Sequence, residues 1–172
     1  LVFEQSRSKW VGMVVEAEAY FGSEDPASHA YCGKTPRNGV MFGRAGFSYV
    51  YFTYGSCHML NVVTRGEGEA GAVLIRAVEP VEGSSIMLKR RRCRRQEDLT
   101  SGPGKLTEAF GITLAQNTWD MTSVHQGGTL PPLRFEENVH LPDILRIRAS
   151  KRIGISQGKN LLYRFYMRDN HF

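Results

Sequence analysis

Cysteine is scarce in this 172-residue chain: Cys32, Cys57 and Cys93 are the three, and no C-x-x-C pair occurs. So odd and sparse a set argues against a disulfide framework and for a reducing, intracellular compartment. Long apolar runs are missing too. None approaches the ~18 residues that cross a bilayer, and no basic start followed by an apolar stretch marks a secretory leader. Internal repeats and low-complexity tracts are absent. A zinc site could be assembled from His29, Cys32, Cys57 and His58. Adjacent ligands such as Cys57 and His58 rarely both reach one tetrahedral ion. The H-x-E with P-C-x-x-C signature of zinc deaminases is absent as well. Neither a metal nor another cofactor is expected.

What remains is the composition of a folded globular domain: 41% hydrophobic and 23% charged residues, with Phe 9 and Tyr 7. Lys+Arg 22 against Asp+Glu 17 gives a net charge of +5. That suits a polyanionic partner without proving one. The charge is uneven. Glu4, Glu16, Glu18, Glu24 and Asp25 crowd the start, whereas Lys89, Arg90, Arg91, Arg92, Arg94, Arg95 and Lys105 cluster later.

Period-two alternation dominates, as in half-buried strands. Over 11–21, Val11, Met13, Val15, Ala17, Ala19 and Phe21 form an apolar back, and Val14, Glu16, Glu18 and Tyr20 the front. Phe47–Val63 reads as a hairpin with its tip at Tyr54-Gly55-Ser56. Ala72–Val78 is strand-like and puts Leu74 and Arg76 on one face. Ser101-Gly102-Pro103 followed by Leu106, Ala109 and Phe110 reads as a capped helix that Gly111 ends. A basic helix over 82–95 would be opened by Ser84 or Ser85. Residues 112–142 read as a long irregular connection, and Ile144–Ala149 and Leu161–Met167 as late strands. No linker divides the chain, so the expectation is a single, strand-dominated α+β domain.

Glu18, Tyr20, His29, Tyr51, Asn61 and Arg76 could together line a pocket with one base, aromatic walls and a few hydrogen-bonding groups. The pattern equally allows surface residues on strands, with Arg76 simply paired to Glu16.

Ordered motifs add to this. Glu16-Ala17-Glu18-Ala19-Tyr20-Phe21-Gly22, then Asp25 and Ala27-Ser28-His29, resembles the opening motif of the alkyladenine (3-methyladenine) DNA glycosylase family. Thr35-Pro36-Arg37-Asn38 with Met41-Phe42, Tyr49-Val50-Tyr51 with Tyr54-Gly55, and Leu60-Asn61-Val62 follow in that family's order. So do Ala72–Pro80, Ser101–Leu106 and Arg152-Ile153-Gly154-Ile155. The resemblance covers residues 11–166. It implies a curved antiparallel sheet with a protruding β-hairpin and a few peripheral helices. A helix and strand usual in relatives would be missing before Leu1.

The resemblance also implies chemistry. The enzyme would excise damaged purines from double-stranded DNA during base excision repair, reaching the base by flipping it from the stack. Glu18 would activate a water at the anomeric carbon, oriented by Arg76. Tyr20, Ala27, His29, Tyr51, Asn61 and Leu74 would form the base pocket. Asn61 would turn guanine away. Tyr54 would wedge into the minor groove, while Thr35, Arg37 and Lys105 would hold the backbone. The protein would act as a monomer without an obligate protein partner, intracellular and away from membranes. Two other readings are a non-catalytic basic nucleic-acid-binding module and a carboxylate hydrolase acting on small nucleosides.

Overall fold

The organising element is a 13-residue strand, β2 (Ser8–Tyr20). The computed structural model describes residues 1–53, 55–93, 95–122, 129–137 and 146–172. Along one edge β2 pairs antiparallel with β5 (Ala72–Glu82). Along the other it pairs first with β1 (Val2–Gln5) and then, at Glu16–Glu18, with β8 (Arg164–Met167). The hairpin β3 (Ser48–Thr53) and β4 (Cys57–Val63) continues the sheet beyond β5, β6 (Leu133–Arg134) joins β1, and β7 (Ile147–Ser150) joins β8. The result is one curled antiparallel sheet of eight strands. Among the described residues two α-helices accompany it, α1 (Ser84–Arg91) and α2 (Pro103–Phe110). The strand-dominated α+β expectation therefore holds. None of these helices is long and apolar enough to cross a membrane.

One face of the sheet is covered by the helices. Trp10, Ile75 and Val78 pack there against Met87, Leu106 and Phe110. Burying each such side chain is worth about 1.5–3 kcal/mol. A Cβ at Gly12 would lie 2.7 Å from Val78 and 3.2 Å from the Phe110 ring, so only glycine lets α2 approach β2 this closely. A second cluster, including Met41, Tyr49, Val63 and Ala72, underlies the loop before β3.

The face assignment of β2 needs correction. Val14 packs against the helix-side core together with Trp10, not beside the acids. The cause is a change of register with β5, which shifts between Val14 and Glu16 and again between Glu16 and Ala17. Even-numbered residues before the shift face the helices, while Glu18 and Tyr20 after it turn to the opposite side. Strict alternation assumes an unbroken ladder, which a bulge interrupts.

The helix starts differ from expectation as well. Gly83, in the left-handed region at φ 87°, is the cap of α1, and neither Ser84 nor Ser85 bonds back to the helix. Gly102 rather than Ser101 precedes α2, whose first residue is Pro103. At the other end Gly111 adopts φ 75°, the left-handed conformation that stops the helix. Part of the basic run is structural. The Arg90 guanidinium lies 4.3 Å from the Trp10 ring centroid and donates to the Ala109 carbonyl at 3.1 Å. Arg91 pairs with Glu108. These contacts fasten α1 to α2 on the helix side of the sheet. Arg94 lies outside the described residues, as do Ile144 and Leu145 of the expected late strand. In the connection after α2, Thr113 and Gln116 cap a single 3₁₀ turn, Leu114–Gln116. Asn117 then accepts the Val50 N–H at 2.9 Å, tying this connection to β3.

Candidate active site

On the sheet face away from the helices lies a cleft of about 400 Å³. Tyr20, Ala27, His29, Tyr51, Asn61, Leu74 and Arg76 all line it. Alternation on β5 sends Leu74 and Arg76 there together, and Asn61 of β4 sits directly across from Leu74 in the ladder. Pro26, Met41, Tyr49, Thr53, Met59, Ala72, Pro103 and the segment Ile153–Ser156 complete the lining.

Glu18 has no exposed surface and lies immediately behind this wall. A buried carboxylate is costly unless it is hydrogen-bonded. Oε1 accepts the Ile153 main-chain N–H at 2.8 Å. Oε2 accepts the Tyr20 hydroxyl at 2.8 Å and Arg76 Nη1 at 3.3 Å. All three donor residues line the cleft. Arg76 is itself held by Glu16, whose Oε1 accepts Arg76 Nε at 2.7 Å and Arg164 Nε at 2.6 Å. Burial would raise the Glu16 carboxyl, but the bonds from Arg164 and Arg76 outweigh it and hold it below its ordinary value. The Tyr20 phenol is pushed up, by burial first and then by the Glu18 charge. It stays a proton donor throughout the neutral range.

The aromatic wall is stitched together. The His29 and Tyr51 rings meet edge-on with centroids 4.6 Å apart, and Tyr49 lies 5.3 Å from Tyr51. His29 Nδ1 and the Tyr49 hydroxyl share a hydrogen bond of 3.0 Å. His29 keeps an exposed edge, yet desolvation where its ring packs into the cleft wall, aided by the nearby Arg37 charge, lowers its pKa. Burial and then Tyr51 push the Tyr49 phenol up to about 12. Asn61 donates to the Tyr49 carbonyl at 3.0 Å, which fixes its side chain at the cleft wall.

The expected backbone-binding residues lie apart from this centre. Arg37 donates to the Phe52 carbonyl at 3.2 Å and its guanidinium lies 5.9 Å from the Tyr51 ring. The Thr35 N–H bonds Asn38, which in turn donates to the His29 and Gly33 carbonyls and organises the loop. Lys105 reaches Asp98 at 3.1 Å and Ser101 at 3.2 Å. Tyr54 lies outside the described residues. Among the described residues no three His, Cys, Asp or Glu groups converge to hold a metal, and the cysteines are free thiols.

Sequence reasoning assigns no part to Asp25 and Arg152, yet they form a buried bidentate ion pair with both N–O distances 2.6 Å. Both belong to the ordered motifs, but they stand 127 positions apart, and no spacing rule links them. Nor does any periodicity indicate that the Ile153 N–H binds Glu18, because a main-chain donor leaves no residue-type signal.

The curled antiparallel sheet thus carries an aromatic cleft with a buried, multiply bonded carboxylate behind it. The methylpurine-DNA glycosylase family matches residues 1–171. A protein of Prosthecochloris aestuarii provisionally named 3-methyladenine DNA glycosylase is 48% identical over 161 residues, 94% of this chain and 74% of that one. One of the same name from Carboxydothermus hydrogenoformans is 46% identical over 172 residues, all of this chain and 86% of its own. The likeness to a Francisella tularensis relative is 41% over 172 residues, again all of this chain and 86% of that one. The chain belongs to the methylpurine-DNA glycosylase family, hydrolases of N-glycosyl bonds that serve base excision repair.

Proposed function

We propose that this chain flips a damaged purine from duplex DNA into the cleft and hydrolyses its N-glycosidic bond with a water activated by Glu18. The observation that carries this reading is the placement of Glu18. It is fully buried, and its three bonding partners Tyr20, Arg76 and Ile153 all front one aromatic cleft. The water's oxygen adds to the anomeric carbon as its proton passes to Glu18. The electron pair of the breaking C–N bond leaves with the base. Positive charge on the sugar ring is stabilised by the same carboxylate. The longest of its contacts, Arg76 Nη1 at 3.3 Å, is the one that yields to a water. Arg76 keeps its place meanwhile, because its Nε remains on Glu16 at 2.7 Å.

Tyr20, Tyr51 and His29 stack on the base, and aromatic faces favour the cationic purines that alkylation creates. Ala27 and Leu74 shape the pocket, and Asn61, held on the Tyr49 carbonyl, crowds the exocyclic amino group of guanine. Thr35, Arg37 and Lys105 hold phosphates, Tyr54 fills the gap left by the base, and the protein works as a monomer. The chemistry uses no amine nucleophile, so the abasic strand stays intact. The test is a duplex bearing one alkylated purine, assayed for free base and for strand integrity. Tight binding without base release would favour a plain binding module, and turnover of free nucleosides a small-molecule hydrolase.

A further inference from the structure

We infer that the buried Asp25–Arg152 pair is a positioning clamp for this site, fixing both the stacking ring of Tyr20 and the main-chain donor that holds Glu18. The inference rests on the glycosylase reading above and adds two residues to it. Arg152 Nη1 donates to Asp25 Oδ2 and Nη2 to Asp25 Oδ1, each at 2.6 Å, and both side chains are essentially sealed from solvent, at 0% and 1% exposure. Nη1 also donates to the Ala19 carbonyl at 2.8 Å. The guanidinium lies 4.5 Å from the Tyr20 ring centroid and 5.3 Å from that of Tyr163. Arg152 does not line the cleft and Tyr20 does, so the arginine supports the ring from its buried side. Asp25 in turn accepts the Phe21 and Ala27 N–H groups, both at 3.1 Å.

One guanidinium thus ties three pieces of chain: the end of β2, the turn leading to Ala27 and His29, and the segment that begins at Ile153. Arg152 is covalently adjacent to Ile153, whose N–H reaches Glu18 at 2.8 Å. Fixing the arginine therefore fixes that donor. Stability alone does not call for such a pair. Buried ion pairs are often no better than apolar residues of the same shape, and the Arg152 Nε N–H is buried here with no hydrogen-bond partner among the described residues. An apolar pair could not bond the Ala19 carbonyl or the Phe21 and Ala27 N–H groups. A bidentate planar fork placed over a tyrosine ring is also something lysine cannot reproduce.

The test is Arg152→Lys, with Asp25→Asn as a second, nearly isosteric variant in case the first does not fold. Single-turnover excision is measured per titrated active site, well below the melting temperature. Misplacement of reacting groups by about 1 Å can cost about 10²-fold, so a fall of about ten- to hundred-fold is expected, with affinity for undamaged duplex unchanged. Amide hydrogen exchange, read without any substrate, should quicken over residues 151–157 and 19–29 together while β5 keeps its protection. A lower melting temperature with the parent's rate per active site and unchanged exchange in those two segments would overturn the clamp. Base release by the parent and its loss in Glu18→Gln test the glycosylase reading separately.

Discussion

The main-chain N–H of Ile153 donates to Oε1 of Glu18 at 2.8 Å across a separation of 135 residues. This bond brings the last loop of the chain onto its first long strand at a carboxylate that has no exposed surface. Glu18 is therefore committed on both oxygens before any substrate arrives. The role proposed for it as a base depends on how firmly each donor holds it.

The first prediction concerns that carboxylate. Glu18→Gln preserves shape but puts an amide where a proton acceptor stood. Excision should fall by the ~10²–10⁴-fold typical of general-base loss, with lesion binding retained. Among the described residues Glu16 accepts two arginines and has no bond to a cleft donor other than Arg76. Glu16→Gln should therefore weaken Arg76 placement and cost less. Retained activity in Glu18→Gln beside an inactive Glu16→Gln would reverse the assignment.

The proposed mechanism gives Tyr20 two tasks, and two substitutions separate them. Tyr20→Phe keeps the ring and removes the 2.8 Å bond to Glu18. A hydrogen bond to a charged group is worth about 1.5–3 kcal/mol. The cleavage step should slow accordingly, with base capture spared. Tyr20→Ala should also lose about 1–3 kcal/mol of stacking, visible as weaker binding to damaged but not undamaged duplex. Equal behaviour of the two variants in single-turnover and binding assays would mean that the hydroxyl does nothing.

Much of this was legible in the sequence, for physical reasons. Alternation along β5 put Leu74 and Arg76 on one face, and the aromatic run 47–52 with a Gly-containing tip marked the hairpin. Those signals arise within a few residues of each other. The bulge near Val15 leaves no sequence signal because it depends on the partner strand, and strict alternation therefore sets Val14 on the wrong face. The basic run reads in sequence only as a cluster of cations, yet Arg90 lies on Trp10, a contact set by helix packing. The Asp25–Arg152 pair and the Ile153–Glu18 bond join distant segments, and one chain read alone carries no trace of such pairings.

Asn61 yields a prediction about selectivity. It is buried and fixed on the Tyr49 carbonyl at 3.0 Å, so it cannot swing aside for a bulkier purine edge. Asn61→Ser should open that edge and permit release of guanine-type bases, with less effect on adenine lesions. Side-by-side release assays on the two base types check this. An unchanged base spectrum would leave Asn61 as a hairpin hydrogen-bonding residue only.

Acid stability follows from two groups held below their ordinary values. Burial lowers the His29 pKa, with Arg37 adding to it. For Asp25, burial acts to raise the carboxyl, but the bonds from Arg152, Phe21 and Ala27 outweigh it. In both cases the unfolded chain binds the proton more readily, so stability rises with pH. The His29 contribution is complete above 6.5, the ordinary value, and fades as pH falls below it. That of Asp25 is complete above 3.8 and is lost as pH drops through its lower folded value. Urea unfolding across this range should show Asp25→Asn less stable at neutral pH but with a flatter decline at the acid end. Parallel curves for parent and variant would show that Asp25 is not linked to folding.

The last prediction separates electrostatics from chemistry at Lys105. This lysine is the third residue of α2, where main-chain N–H groups also favour an anion. Its ammonium already has a partner, Asp98 at 3.1 Å, and both side chains are partly exposed, at 37% and 51%. An exposed ion pair of this kind is weak, worth about 0–1 kcal/mol, so a DNA phosphate can displace Asp98. If it does, Lys105→Ala should weaken damaged and undamaged duplexes alike. The slope of log affinity against log salt should also flatten by about 0.9, the effect of one lost phosphate contact. Asp98→Asn should act in the opposite direction, strengthening binding to both duplexes because the lysine no longer has to be released. Single-turnover excision at saturating enzyme should stay near the parent's in both variants, since neither residue lines the cleft. The measurement is a salt titration of binding for parent, Lys105→Ala and Asp98→Asn on one lesion-bearing duplex and its undamaged twin. Slopes identical in all three would show that Lys105 touches no phosphate and that its pairing with Asp98 persists on DNA.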